Sequence, residues 1–141
     1  MAQEKNFENA VKRWFHSVGI YPAGQREDKM TVPQVGWYLK VWGGGFQKSG
    51  IPDILICING RFIGCEVKAP DGRPSHLQIQ NLRQIDRSGG YGVLLYPDQW
   101  QLFQNFILCI LAGDMENTGH NYRILKLRWK HYDEKMRKGE F

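Results

Sequence analysis

Three residues carry the clearest chemistry in this chain: Asp53, Glu66 and Lys68. Asp53 ends the tetrapeptide Gly50-Ile51-Pro52-Asp53, and Glu66-Val67-Lys68 follows after a mostly apolar ribbon, ILICINGRFIGC. The ribbon is broken by Asn59-Gly60, the strongest short signal for a two-residue type I′ hairpin turn. Closing it there pairs residues symmetrically about the turn, so Asp53 falls opposite Glu66. Directly opposed side chains have Cβ atoms roughly 4.5–5.5 Å apart, and like charges so placed repel. A shared proton or a cation relieves that repulsion. Two convergent carboxylates are also what a hard cation such as Mg²⁺ takes from a protein. Lys68, two residues beyond Glu66 in a strand, points to the same face, roughly 6–7 Å further on. The bland alternative is a turn aspartate beside a surface Glu66–Lys68 ion pair.

The elements around this ribbon read as an α/β domain. Residues 7–18 place Phe7, Ala10, Val11, Trp14, Phe15 and Val18 at helical spacing, with Asn6 as N-cap and Gly19 as stop. Residues 20–36 carry Pro22, Gly24, Pro33 and Gly36 and read as a loop. Residues 37–42 alternate in the strand period, and GGGFQKSG follows as a loop. ILICI (54–58) and RFIGCEVK (61–68) form the hairpin. They are apolar on both faces, which predicts a sheet covered on both sides. Ser75 is an N-cap for a helix carrying Leu77, Leu82 and Ile85, ended by Gly89-Gly90. Residues 91–96 read as a strand and 98–112 as an amphipathic helix. Residues 121–129 read as short and β-like, and 130–138 as a charged, solvated terminus. The order α-β-β-β-α-β implies a central mixed sheet flanked by helices.

Composition agrees with one domain over 1–141, its core about 7–97 and a C-terminal extension about 98–141. At 42% hydrophobic, 141 residues suffice for a real core. The net charge of +5 fits a polyanion partner without requiring one. No apolar run reaches the length of a membrane span, residues 1–20 lack a signal-peptide pattern, and Cys57, Cys65 and Cys109 show no metal or disulfide spacing. Buried free thiols and a cytoplasmic location are the expectation. Trp14, Trp37 and Trp42 are expected in the core. Exposed Tyr38 or Trp42 would offer a base-stacking surface.

Taken together, Gly50-Ile51-Pro52-Asp53, Glu66-Val67-Lys68 with Ala69-Pro70, Ser75 and Gln78 in the next helix, and Gly89-Gly90 resemble the PD-(D/E)xK nuclease superfamily. More closely, over about residues 7–97, they resemble the virus-type replication-repair nuclease (VRR-NUC) family, in its small phage and bacterial form. The resemblance implies a restriction-endonuclease-like core and a metal-dependent DNA endonuclease. It implies that Asp53, Glu66 and the Val67 backbone carbonyl hold Mg²⁺ or Mn²⁺, with Glu8 reaching the metal directly or through water. It implies further that Lys68 positions the attacking water and steadies developing charge, and that Gln78 orients Lys68 or the nucleophile. Homodimers acting on branched DNA, four-way junctions included, are also implied.

Competing assignments stand beside these. Glu8 reads equally as a first-turn acid favoured by the helix dipole, and Gln80 competes with Gln78. Lys40, Lys48, Arg61 and Arg73 flank the site and suit phosphate contacts, which position DNA without reading sequence. His76 lies close enough to touch substrate. A sequence-specific restriction-type nuclease and a non-catalytic nucleic-acid-binding module on the same fold are the alternative functions.

Overall fold

The computed structural model describes residues 2–42 and 50–140. A five-stranded mixed sheet runs in the order β1 (Ile20–Pro22), β2 (Gly36–Lys40), β3 (Ile54–Ile58), β4 (Arg61–Val67) and β5 (Tyr91–Leu95). β1 and β2 are parallel, β2–β3–β4 antiparallel, and β4 and β5 parallel. The helices are α1 (Ala2–Val18), α2 (His76–Arg87), α3 (Trp100–Leu111) and α4 (Met115–Arg137), with α2 crossing between the parallel pair β4 and β5.

The hairpin has the expected register. Ile58 pairs with Arg61 and Ile54 with Cys65, so Asp53 and Glu66 lie one step beyond the last paired residues. Asn59 and Gly60 both take positive φ, 48° and 73°, as a type I′ turn demands. Asn59 adds a hydrogen bond from its side-chain amide to the Ile110 carbonyl, which ties the turn to α3.

One face of the sheet packs on α1 and α3. Val11, Phe15, Phe103, Phe106, Ile107 and Ile110 close over Ile54, Ile56, Ile58, Ile63 and Val93. On the other face Ile79 and Leu82 of α2 meet Leu94, Tyr96 and Trp129. α4 runs past the β5 edge and seals it. The Tyr122 hydroxyl accepts from the Gly92 N–H at 3.0 Å, and the Trp129 indole donates to the Gly92 carbonyl at 2.8 Å. An edge strand's unpaired backbone groups are thereby satisfied by side chains. Gly92 is required by close approach, since a Cβ there would lie 2.5 Å from the Leu82 carbonyl oxygen.

Several expectations are corrected. Residues 20–36 are not all loop, because Ile20–Pro22 form the edge strand β1. Proline is tolerated on an edge strand, so Pro22 was no bar. Residues 121–129 are helical, inside α4, where Tyr122, Leu125 and Trp129 are buried at helical spacing. α1 begins at Ala2, leaving Asn6 inside the helix, while Gly19 (φ 92°) does end it. Among the described residues the sheet is covered on both faces over β5 and the Ile63–Val67 part of β4. Over β2 and β3 no described residue closes the α2 side: Trp37 is 41% exposed, paired with exposed Cys57, and Cys57 pairs in turn with Phe62, which is 45% exposed. Trp42 is 64% exposed. Neither Trp37 nor Trp42 is a core residue, and of the three thiols only Cys65 is buried. Tyr38 is buried and hydrogen-bonded to His16, so it offers no stacking surface.

Candidate metal centre

The site is assembled at the open end of the hairpin by three neighbouring pieces of chain. Gly50 takes φ 83°, and a Cβ there would meet the Leu77 side chain and backbone at 2.6–2.9 Å. Only glycine lets the 50–53 segment lie against the first turn of α2. The Asn81 amide then donates to the Gly50 carbonyl at 3.0 Å. Pro52 sits over Gly64, whose own Cβ would lie 3.1 Å from the proline ring. Asp53 is therefore delivered beside β4, where its Oδ2 accepts from the Val67 N–H at 2.9 Å.

Glu66 is 2% exposed. Its Oε2 accepts from Gln78 Nε2 at 3.0 Å and faces Lys68 Nζ at 3.6 Å. Its Oε1 is buried and has no hydrogen-bond partner among the described residues. Burial, and then the charge of Asp53, push the Glu66 carboxyl up to about 9. The buried hairpin end thus holds an acid with its proton at neutral pH, through burial first and then the second carboxylate that the register brings near.

A third acid joins them, and it is Glu4. Among the described residues, Glu4, Asp53 and Glu66 each offer a carboxylate oxygen, all within 4.8 Å of one another. Glu8, expected in this place, lies one turn further along α1 and is otherwise engaged. Lys40, Lys12 and Lys5 approach its carboxylate at 2.7, 3.1 and 3.4 Å. Burial alone would raise the Glu8 carboxyl, but the bonds from Lys40 and Lys12 hold it below its ordinary value. A carboxylate surrounded by ammoniums has little left to offer a cation. Glu4 was missed because the helix was started at residue 7. The i,i+4 spacing of Glu8 to Lys12 was the available signal that Glu8 was already paired.

The orphaned Glu66 Oε1 decides whether these residues fit a metal. A buried carboxyl oxygen without a partner, within a cluster of acidic oxygens at this spacing, suits a hard divalent ion such as Mg²⁺ or Mn²⁺, which would take the place of the Glu66 proton. The donor set therefore fits. Val67 enters through its N–H, bonded to Asp53.

Gln78, rather than Gln80, is the glutamine of the site, and it does two jobs. Ser75 Oγ accepts from the Gln78 N–H at 3.1 Å, and Gln78 Oε1 accepts from the Ser75 N–H at 2.9 Å, a complete capping box. Its Nε2 holds Glu66. Gln78→Ala is expected to lower divalent-metal affinity by roughly ten- to a hundredfold and helix stability by about 1 kcal/mol. Titration calorimetry and thermal melts separate the two effects.

The remaining expected contacts are scattered. Lys40 lies inside the cluster, 3.8 Å from Asp53 Oδ1. Arg73 lies just before α2 and His76 is its first residue, both exposed. Lys48 lies outside the described residues. The basic residues of 126–138 belong to α4, where Lys126 pairs with Asp86 and Arg128 with Asp98. Searches against family models, curated proteins and solved structures return no match to this chain. Among the described residues no helix is long and apolar enough to cross a membrane.

Proposed function

We propose that the protein is a divalent-metal-dependent endonuclease that hydrolyses phosphodiester bonds in DNA. It would be built on a restriction-endonuclease-like core of the VRR-NUC kind and act in the cytoplasm. The reading rests on one observation above the others: the buried Glu66 carboxyl grouped with those of Asp53 and Glu4, with the Lys68 ammonium on its flank.

Glu66, Asp53 and Glu4 would hold Mg²⁺ or Mn²⁺. When bound, that ion lowers the pKa of a coordinated water and neutralises charge on the phosphate. The Val67 N–H fixes Asp53, and Gln78 with Lys68 fixes the Glu66 carboxyl, so both acids are held in place for the ion they would bind. Lys68 also supplies a positive charge to the phosphorane-like transition state. Gln78 acts through Glu66 and is a positioning residue.

Selectivity for branched DNA and a homodimeric state complete the proposal, since two symmetry-related sites would meet two strands. Purified protein with Mg²⁺ or Mn²⁺ should cut flap or four-way-junction DNA in preference to matched linear duplex, and light scattering should give a dimer. Full activity in EDTA would overturn the metal mechanism. Equal cutting of every substrate would overturn structure selectivity, and cutting at one fixed sequence would favour the restriction-type alternative.

A further inference from the structure

Beside the acidic cluster lies a second group of side chains that the hydrolytic chemistry leaves unused. Trp42 is 64% exposed, just beyond the end of β2. Three ammoniums sit over its ring, from Lys5, Lys40 and Lys12, at 5.3, 5.7 and 5.9 Å from the centroid. The same three converge on the Glu8 carboxylate. Trp42 also lines a cleft of about 220 Å³ together with Glu4, Glu8, Lys40 and Asp53.

The charges do not close among themselves. One carboxylate faces three ammoniums, and among the described residues only Lys40 of the three has a second acid, Asp53, within reach. Lys5 and Lys12 are left with positive charge in excess, and the Lys5 side chain is 52% exposed. Ammoniums crowded over one ring repel one another. An anion placed between them removes that cost. The ring is a large apolar face kept in water, and its electron-rich surface already attracts cations. A partner that brings an anion and a flat aromatic face, joined at the spacing of a base and its phosphate, answers both deficits together.

We propose that Trp42, Lys5 and Lys12 form a subsite that stacks an unpaired nucleobase and holds the adjoining phosphates. This rests on the nuclease reading and gives its substrate class: DNA that is single-stranded or locally unpaired beside the cut. In a duplex the base faces are covered by their neighbours, so a ring such as Trp42 has nothing to stack on. In a single strand, aromatic stacking is open to any base, and lysines along the backbone supply the rest. Glu8 is the pedestal of the subsite. Its carboxylate gathers the lysines beside the ring.

The test is fluorescence anisotropy of labelled oligo-dT, of a matched duplex and of oligo-rU, with Ca²⁺ in place of Mg²⁺. Trp42→Ala should weaken oligo-dT binding roughly ten- to a hundredfold, with less than about a threefold change on the duplex. Trp42→Phe should keep most of the affinity. Lys5→Gln with Lys12→Gln should flatten the dependence of log Kd on log salt by about 0.7 for each phosphate no longer neutralised. Unchanged oligo-dT affinity in Trp42→Ala, or equal losses on single strand and duplex, overturns the subsite, as does a preference for oligo-rU over oligo-dT. Trp42 is largely in solvent, so its variants should fold; a thermal melt checks the lysine pair, of which Lys12 is bonded to buried Glu8. The two readings fail separately. Wild-type protein that binds single strands through Trp42 but cuts no DNA with Mg²⁺ or Mn²⁺ sinks the nuclease and leaves the subsite. Wild-type protein that cuts DNA, with a Trp42→Ala variant that binds as well as it does, sinks only the subsite.

Discussion

Glu66→Gln should abolish metal-dependent cleavage and, in the same variant, make the metal-free protein more stable at alkaline pH. The loss of activity follows from replacing a carboxyl that would give up its proton to bind the ion with an amide that cannot. The gain in stability follows from the sign of the shift. Glu66 ordinarily titrates near 4.5 and in the folded chain near 9, because burial and then Asp53 disfavour its charge. The unfolded chain loses this proton first, so between about pH 4.5 and 9 it binds fewer protons than the native state. The folded state is therefore best off below pH 4.5, as far as this group is concerned. That advantage is lost progressively until the folded pKa is passed. Glutamine carries no proton to lose, and its amide group suits a position against Asp53. The difference in melting temperature between Glu66→Gln and wild type, measured in EDTA, should therefore widen from pH 5 to pH 9. A constant difference across that range would sink the account. The same shift means that proton and metal compete for Glu66. Calorimetric heats of Mn²⁺ binding at pH 7 should thus vary with the ionisation enthalpy of the buffer, reporting a released proton.

Lys68→Ala should lower turnover by roughly a hundred- to a thousandfold, the usual effect of removing one preorganised group facing transition-state charge. Metal binding should survive, because the three carboxyls that would hold the ion are all kept in this variant. A second effect separates this from a general loss of structure. Lys68 holds the Glu66 carboxyl lower than burial and Asp53 would leave it. Without the lysine, the acidic limb of the pH–rate profile should move to higher pH. A variant with normal turnover and an unmoved profile would assign Lys68 to packing alone.

The heart of the site was legible in the chain because local rules decide it. Asn59-Gly60 accepts positive φ at both positions, that sets the register, and the register puts Asp53 beside Glu66. Ser75 followed three residues later by Gln78 is likewise a short-range signal, and the capping box forms as written. What failed depended on partners distant in sequence. Glu4 and Glu8 are both α1 acids, and choosing between them requires knowing that Lys40 arrives from β2 to occupy Glu8. The segment from Tyr122 to Trp129 alternates well enough to pass for a strand. It is helical because Tyr122 and Trp129 close the Gly92 edge from one side of α4. Whether the Trp37 face is covered depends on where α2 and α4 dock, and no local pattern in β2 or β3 carries that.

In the proposed nuclease, the double duty of Gln78 would tie catalytic competence to the fraying of a helix end. Opening the first turn of α2 breaks the Ser75–Gln78 box and, with it, the hydrogen bond that orients Glu66. Helix termini open at far lower free energy than whole domains unfold. Thermal inactivation should accordingly run ahead of the melting of the sheet. The exchange rate of the Gln78 backbone amide would then measure how much of the native population is ready to work.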